Sequence, residues 1–234
     1  APREAAGGIP QGDGLRTADA RAPMSDDTRI YRYVITHDGG MAPNPRGDFL
    51  SLATCKPIIR SVAREGDWVL GNRSSPANER VVWAGRISRV IEIGDYGREF
   101  AKREDALFER STSGHLVRKK HFLSWYHPTA DQQAKDARGR VLLFDWSACW
   151  YFGSDCRQLP DNLAHLAARG SGHRVNGVNY YDASHLEVWL KANGPSGRLA
   201  EPTDDWETED TMGCGKPKKQ VRKSGRSGTR GKGC

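Results

Sequence analysis

Apolar and polar positions alternate in short stretches along the middle of the chain, a pattern that predicts strands more often than helices. Residues 30–36 (IYRYVIT) are rich in β-branched and aromatic side chains and predict a first strand. The strand runs into His37-Asp38-Gly39-Gly40-Met41-Ala42-Pro43-Asn44-Pro45, where a glycine pair and two prolines impose a rigid, irregular loop. Residues 49–55 are a second apolar segment. Pro57 then stands where a first helical turn tolerates proline, with Ile58, Ile59 and Val62 expected to face inward and Gly66 to end the helix. Residues 67–71 predict another strand, 72–79 a polar loop, and 80–93 a long strand whose alternation slips near Gly85, as a bulge would cause. Residues 96–109 predict a helix with Phe100, Leu107 and Phe108 on its apolar side, and 115–126 are mixed and basic. Further on, 139–152 include a strand and 159–168 read as a helix. Ser184-x-x-Glu187 reads as a capping box opening a last helix that Asn193-Gly194-Pro195 terminates. Strands and helices interleave without a repeated strand–helix unit, so the expected class is a mixed α+β fold rather than a doubly wound one.

Charge divides the chain further. Of its 234 residues, 36 are Lys or Arg and 29 are Asp or Glu, a formal charge of +7. Residues 1–28 are net acidic and lack aromatics, 201–212 hold six acids and no base, and 213–234 hold eight bases and no acid. Both ends lack the apolar content to offset the entropy of ordering, so a disordered leader (1–28) and a disordered acidic-then-basic tail (201–234) are expected to flank one domain at 29–200. Met24, followed by Ser25-Asp26-Asp27 and the first strand, reads as a natural start, which makes 1–23 a linker, an over-extended reading frame or a cloning remnant. The middle keeps a positive charge of its own, mostly arginine, whose planar fork suits phosphate.

The longest apolar runs, such as residues 81–84 and 141–144, fall far short of the roughly 20 residues that cross a bilayer. No signal-peptide pattern is present, and a cytoplasmic protein without membrane contact is expected. Five cysteines without a Cys-x-x-Cys argue against a disulfide scaffold or zinc ribbon. Cys149 and Cys156 are seven apart and His115, His121 and His127 are spaced by six, neither matching a tetrahedral site, so no metal and no cofactor are expected. Nucleotide-triphosphate motifs are absent. Cys55 stands before Lys56 and a helix start, an environment that lowers a thiol pKa, and would be a nucleophile if His37 or His173 supplied a base. Seven Trp, seven Tyr and six Phe suit an aromatic wall that holds an unstacked base.

Several blocks together resemble a known family. Tyr31–Val34 leading into D-G-G-x-A-P-N-P, then Leu52-Ala53-Thr54-Cys55-Lys56-Pro57 and Gly66-Asp67-Trp68-Val69-Leu70-Gly71, look like the second family of nucleotide-modification-associated domains. Tyr151-Phe152-Gly153, Gly172-His173-Arg174-x-Asn176 and Val188-Trp189-Leu190 extend the likeness over about residues 29–194. The resemblance implies a place in bacterial or phage systems that modify DNA bases and carries no catalytic assignment. The order of elements around 57–93 also looks like PUA-like and EVE-like domains, which implies a partly barrel-like twisted sheet with flanking helices and an aromatic cage for a modified base.

Two functions are expected from these features. The preferred one is a module that binds a modified or flipped base, or a nucleotide, in DNA or RNA. His37, Asp38, Asn44, Lys56, Trp68, Trp83, Tyr151, His173, Arg174 and Asn176 would form the site: amides reading a base edge, aromatics stacking, and Lys56 with His173-Arg174 on phosphate. The alternative is an enzyme of nucleotide or base modification in the same pocket, with His37 and Asp38 as acid–base groups and Cys55 as nucleophile. The charged tail would dock a partner protein or add salt-sensitive attraction.

Overall fold

The computed structural model of the chain describes residues 28–119, 126–170, 173–174 and 180–204; the expectations for the leader up to 27 and for the tail from 205 lie outside the described residues. In chain order the elements are β1 (Ile30–Ile35), β2 (Phe49–Leu52), α1 (Pro57–Val62), β3 (Trp68–Arg73), β4 (Arg80–Arg86), β5 (Arg89–Glu92), α2 (Ile93–Glu99), β6 (Phe108–Arg110) and β7 (Leu116–Arg118). There follow α3 (Ala130–Asp136), β8 (Arg140–Asp145), β9 (Cys149–Tyr151), β10 (Arg157–Gln158), β11 (His173–Arg174), α4 (Tyr180–Ala192) and β12 (Gly197–Arg198).

The period of two in the side chains explains the layers. Tyr31, Tyr33 and Ile35 of β1, with Val69 of β3, point to one face of a main sheet ordered β11-β1-β3-β4-β9-β12, while Ile30, Trp68 and Leu70 point to the other. The first face packs on α1 and on a second sheet, β2-β8-β5, through Leu50, Leu52, Leu142 and Phe144. The second face is covered by α4 and a turn of 3₁₀ helix at Asp161–Leu166, through Leu163, Leu166, Leu186 and Leu190. The far side of the second sheet, carrying Val141 and Leu143, packs against Ile93 and Tyr96 of α2 and Phe108 of β6.

The α+β class holds, and among the described residues both sheets stay open, with no closed barrel. No helix there is long and apolar enough to cross a membrane.

Several local expectations change. The stretch 80–93 is two strands in different sheets, because the chain leaves the main sheet at Ile87 and re-pairs with β8 from Arg89. The slip in alternation falls at Val82 rather than near Gly85: Trp83 pairs with Gly71 and Val81 with Asn72, which leaves Val82 as an extra residue. Gly71 is needed there, since a Cβ would lie 2.5 Å from the Trp83 indole nitrogen. The expected helix at 96–109 ends at Glu99, and Phe108 belongs to a hairpin; Lys119 reaches back and donates to the carbonyl of Gly97 at 2.7 Å. Ser184 lies inside α4, which begins a turn earlier. In α1 only Ile59 of the three apolar residues faces inward, while Ile58 and Val62 are exposed and Arg60 is buried.

Candidate active site

Cys55 lies in the elbow between β2 and α1, and the backbone there is held in an unusual shape. Cys55 (φ 52°) and Lys56 (φ 41°) are consecutive left-handed residues, a conformation that side chains with a Cβ rarely adopt. Among the described residues the remaining non-glycine position with positive φ is His127, at 49°. Backbone strain is thus gathered at three residues that meet in space, as it is where a fold pre-organises a functional group.

Two buried groups fix the elbow. The Asp136 carboxylate, at the end of α3, accepts a hydrogen bond from the Cys55 amide through Oδ1 at 2.9 Å. The Arg60 guanidinium, fully buried, donates to the carbonyls of Cys55 (2.9 Å), Asp136 (2.8 Å) and Arg140 (2.8 Å). Burial lowers the Arg60 pKa to about 10, with Asp136 the leading opposing charge, so it stays charged at neutral pH. Helix α3 starts on a capping box in which Thr129 and Gln132 bond each other's amides, and this sets where Asp136 falls one turn later.

The other Asp136 oxygen, Oδ2, is 2.6 Å from His127 Nδ1, and His127 Nε2 is 3.9 Å from Cys55 Sγ. Burial disfavours a charged His127, but hydrogen bonds and charges from Asp136 and Cys55 outweigh it and raise its pKa to about 10. The ring stacks on Tyr126 with centroids 4.1 Å apart, and the Tyr126 hydroxyl lies 3.6 Å from Sγ and 3.0 Å from Thr54 Oγ1. Sulfur, imidazole and carboxylate therefore stand in series, the order of nucleophile, base and orienting group. The same three residues offer donor atoms within 4.8 Å of one another, near enough for one metal ion. However, imidazole turns one nitrogen to the sulfur and the other to the carboxylate, which suits a proton relay better than convergent ligation.

The loop at 37–45 borders this site, because Thr54 Oγ1 also donates to the Met41 carbonyl at 3.4 Å. Lys56 reaches Val34 O at 3.5 Å and sits 4.6 Å from the centre of the Tyr33 ring. From Tyr33 a chain of contacts leads to Asp38: Trp83 Nε1 donates to Tyr33 Oη at 3.0 Å, and Tyr151, paired with Trp83 across the sheet, donates to Asp38 Oδ1 at 2.8 Å.

The remaining expected residues are placed otherwise. Trp68, Trp83 and Tyr151 are fully buried, Trp68 in one core and the other two in another, so none shows a ring face to a stacked base. Asn44 is buried and bridges to Ser51, with its side-chain oxygen accepting from the Arg46 amide, which leaves it a loop-shaping role. His37 lies 3.9 Å from Asp204, and the base beside Cys55 is His127 instead. The backbone of His173 and Arg174 pairs with Tyr33 and Arg32 of β1; their side chains, and Asn176, lie outside the described residues.

Asp38 is buried, and the Asp204 carboxylate accepts from its amide at 2.7 Å. Burial raises its pKa to about 6, against the hydrogen bond from Tyr151 and the charge of Arg73 and with the help of Asp204. A carboxyl whose folded pKa exceeds its ordinary value of 3.8 stabilises the fold fully below that value and loses this as pH rises through about 6. Asp38→Asn, which keeps an acceptor for Tyr151, should therefore raise stability by about 2 kcal/mol at pH 7. The gain should vanish below about pH 4; thermal unfolding at both pH values checks it.

His127 and Asp136 were hidden in the sequence by distance, since they lie 72 and 81 residues from Cys55. One local signal was available: Thr129-x-x-Gln132 is a capping box that announces α3 and hence the place of Asp136. No curated protein and no solved structure matches the chain. The nucleotide modification associated domain 2 model matches residues 27–110, a span that holds the 37–45 loop and Cys55 while His127 and Asp136 lie beyond it. Over that span the chain is similar to the nucleotide modification associated domain 2 family.

Proposed function

We propose that the chain is a thiol-dependent enzyme of nucleotide or base modification, with Cys55 as nucleophile, His127 as base and Asp136 as the group that orients the imidazole. The observation that carries this is the serial placement of Sγ, imidazole and carboxylate at residues held in left-handed backbone. An imidazolium stabilised by Asp136 keeps the neighbouring sulfur as thiolate, the form that attacks carbon. The family match supports nucleotide modification as the setting. The net positive charge supports capture of a phosphate-bearing substrate, with Lys56 beside the nucleophile as a phosphate contact. The binding-module alternative loses the aromatic cage that was to supply its selectivity, because those rings are in the core.

Alkylation by iodoacetamide at pH 6 after chelation of metals, followed by peptide mapping, tests the assignment. Cys55 should react at least about tenfold faster than an ordinary thiol of pKa near 8.5, and His127→Ala should remove the difference. Equal rates for Cys55 and a free thiol at pH 6 would sink it. Binding to DNA that stays flat between low and moderate salt would count against the phosphate contact.

A further inference from the structure

We infer that the reaction at Cys55 is acyl transfer through a thioester, and that the Tyr126 hydroxyl is the donor that stabilises the oxyanion. This rests on the thiol-enzyme assignment and adds to it the substrate class, a nucleotide-linked or nucleotide-directed amide, ester or thioester. A nucleophile's own backbone amide commonly serves an oxyanion. Here the Cys55 amide is already given to Asp136 Oδ1, and Pro57, two residues on, has no N–H. That leaves the Lys56 amide and nearby side chains as the candidate donors. Tyr126 Oη stands 3.6 Å from Sγ, and an oxygen on the attacked carbon lies two bonds from that sulfur, within the phenol's reach.

The network around the phenol directs its proton. The Met41 carbonyl can only accept, so the single Thr54 hydroxyl proton goes to it at 3.4 Å. In the 3.0 Å contact between Thr54 and Tyr126 the phenol is then the donor, and rotation about its C–O bond turns the same proton from Thr54 toward the sulfur side. Tyr126 is buried, and its ring is braced on the His127 imidazole, so the oxygen is held in place.

The step balances without any outside oxidant. The thiolate forms an S–C bond to the carbonyl carbon, and the π pair moves onto the oxygen, which accepts from Tyr126. Collapse of that oxyanion expels the amine, alcohol or thiol, which takes the proton from His127 Nε2, and leaves a thioester on Cys55. Water or an acceptor amine then attacks the thioester, giving its proton to His127, and the sulfur departs as thiolate.

Two probes separate this role from a merely structural one. Acylation by p-nitrophenyl acetate passes through an oxyanion, whereas alkylation by iodoacetamide displaces iodide and forms none. Tyr126→Phe should slow acylation of Cys55 by about 10²-fold or more while leaving alkylation within about twofold of the native chain. Thr54→Val, which removes the partner of the phenol, should slow acylation several-fold with alkylation again unchanged, and stands in if the Phe variant does not fold. Equal loss in both reactions, or unchanged acylation, overturns the oxyanion role and leaves the thiol enzyme standing. Native Cys55 that alkylates no faster than a free thiol at pH 6 is a different failure, that of the enzyme assignment itself.

Discussion

Asp136→Asn is expected to lower the turnover of the Cys55 site by about 10³- to 10⁴-fold in a chain that still folds, the size of effect seen when an orienting carboxylate becomes an amide. The amide can keep its oxygen on the Cys55 amide proton, but it then turns an N–H₂ toward His127 Nδ1, where Oδ2 stands at 2.6 Å in the native chain. A donor at that position requires Nδ1 to accept, which places the ring proton on Nε2. Nε2 faces the sulfur at 3.9 Å, and a nitrogen that already carries its proton cannot take another from the thiol.

The same variant should change the pH dependence in two ways. The rate of alkylation should follow an ordinary thiol near pH 8.5 instead of persisting to pH 6, because the imidazolium no longer holds the thiolate. Stability should respond as well. His127 has a folded pKa raised from 6.5 to about 10, so its contribution is complete below about 6.5 and is lost as pH rises through about 10. The stability difference between the native chain and Asp136→Asn should therefore be largest at pH 6 and shrink toward pH 10. A difference that grows with pH over that window would mean that Asp136 does not charge His127.

Local features of the fold were legible because each has a local cause. The β-branched run at 30–36 became β1, and Pro57 opened α1 where proline costs nothing. The long reading of 80–93 as one strand failed because a change of sheet at Ile87 leaves no mark in alternation, since both sheets bury apolar side chains there. Arg60 shows the limit most clearly. An arginine on a short helix reads as surface, and only the carbonyls converging from Cys55, Asp136 and Arg140 make its burial favourable. The candidate site was half legible for the same reason. Cys55 announces itself through the residues beside it, whereas His127 looked like one of three evenly spaced histidines, and its role is created by contacts that span 72 residues. Trp68 and Trp83 misled in the opposite direction: an indole in a strand can belong to a cage or to a core, and register within β3 and β4 placed both in the core.

Removing Arg60 is expected to be the costliest single change to stability near the site. Arg60→Met keeps much of the aliphatic volume but withdraws the donors from three carbonyl oxygens in a place closed to water. Each buried acceptor left without a donor costs about 1 kcal/mol or more, so the loss should be about 3 kcal/mol or greater. Arg140 offers a control with nearly the same bonding: it donates to the carbonyls of Ser61 and Ala63, at 3.2 and 2.9 Å, but toward the surface. Water can replace it there, and Arg140→Ala should cost no more than about 1 kcal/mol. Urea unfolding of the two variants separates burial from bond number as the source of the energy, and similar losses would show that burial is not what matters. Arg60 also holds the Cys55 carbonyl, so its loss removes one restraint on the left-handed elbow. Left-handed backbone at a residue with a Cβ persists only where the surroundings over-determine it. In Arg60→Met the thiol should therefore drift from His127, and its alkylation at pH 6 should fall under conditions where the chain remains folded. Retained alkylation in the folded variant would mean that the Asp136 contact alone holds the nucleophile in place.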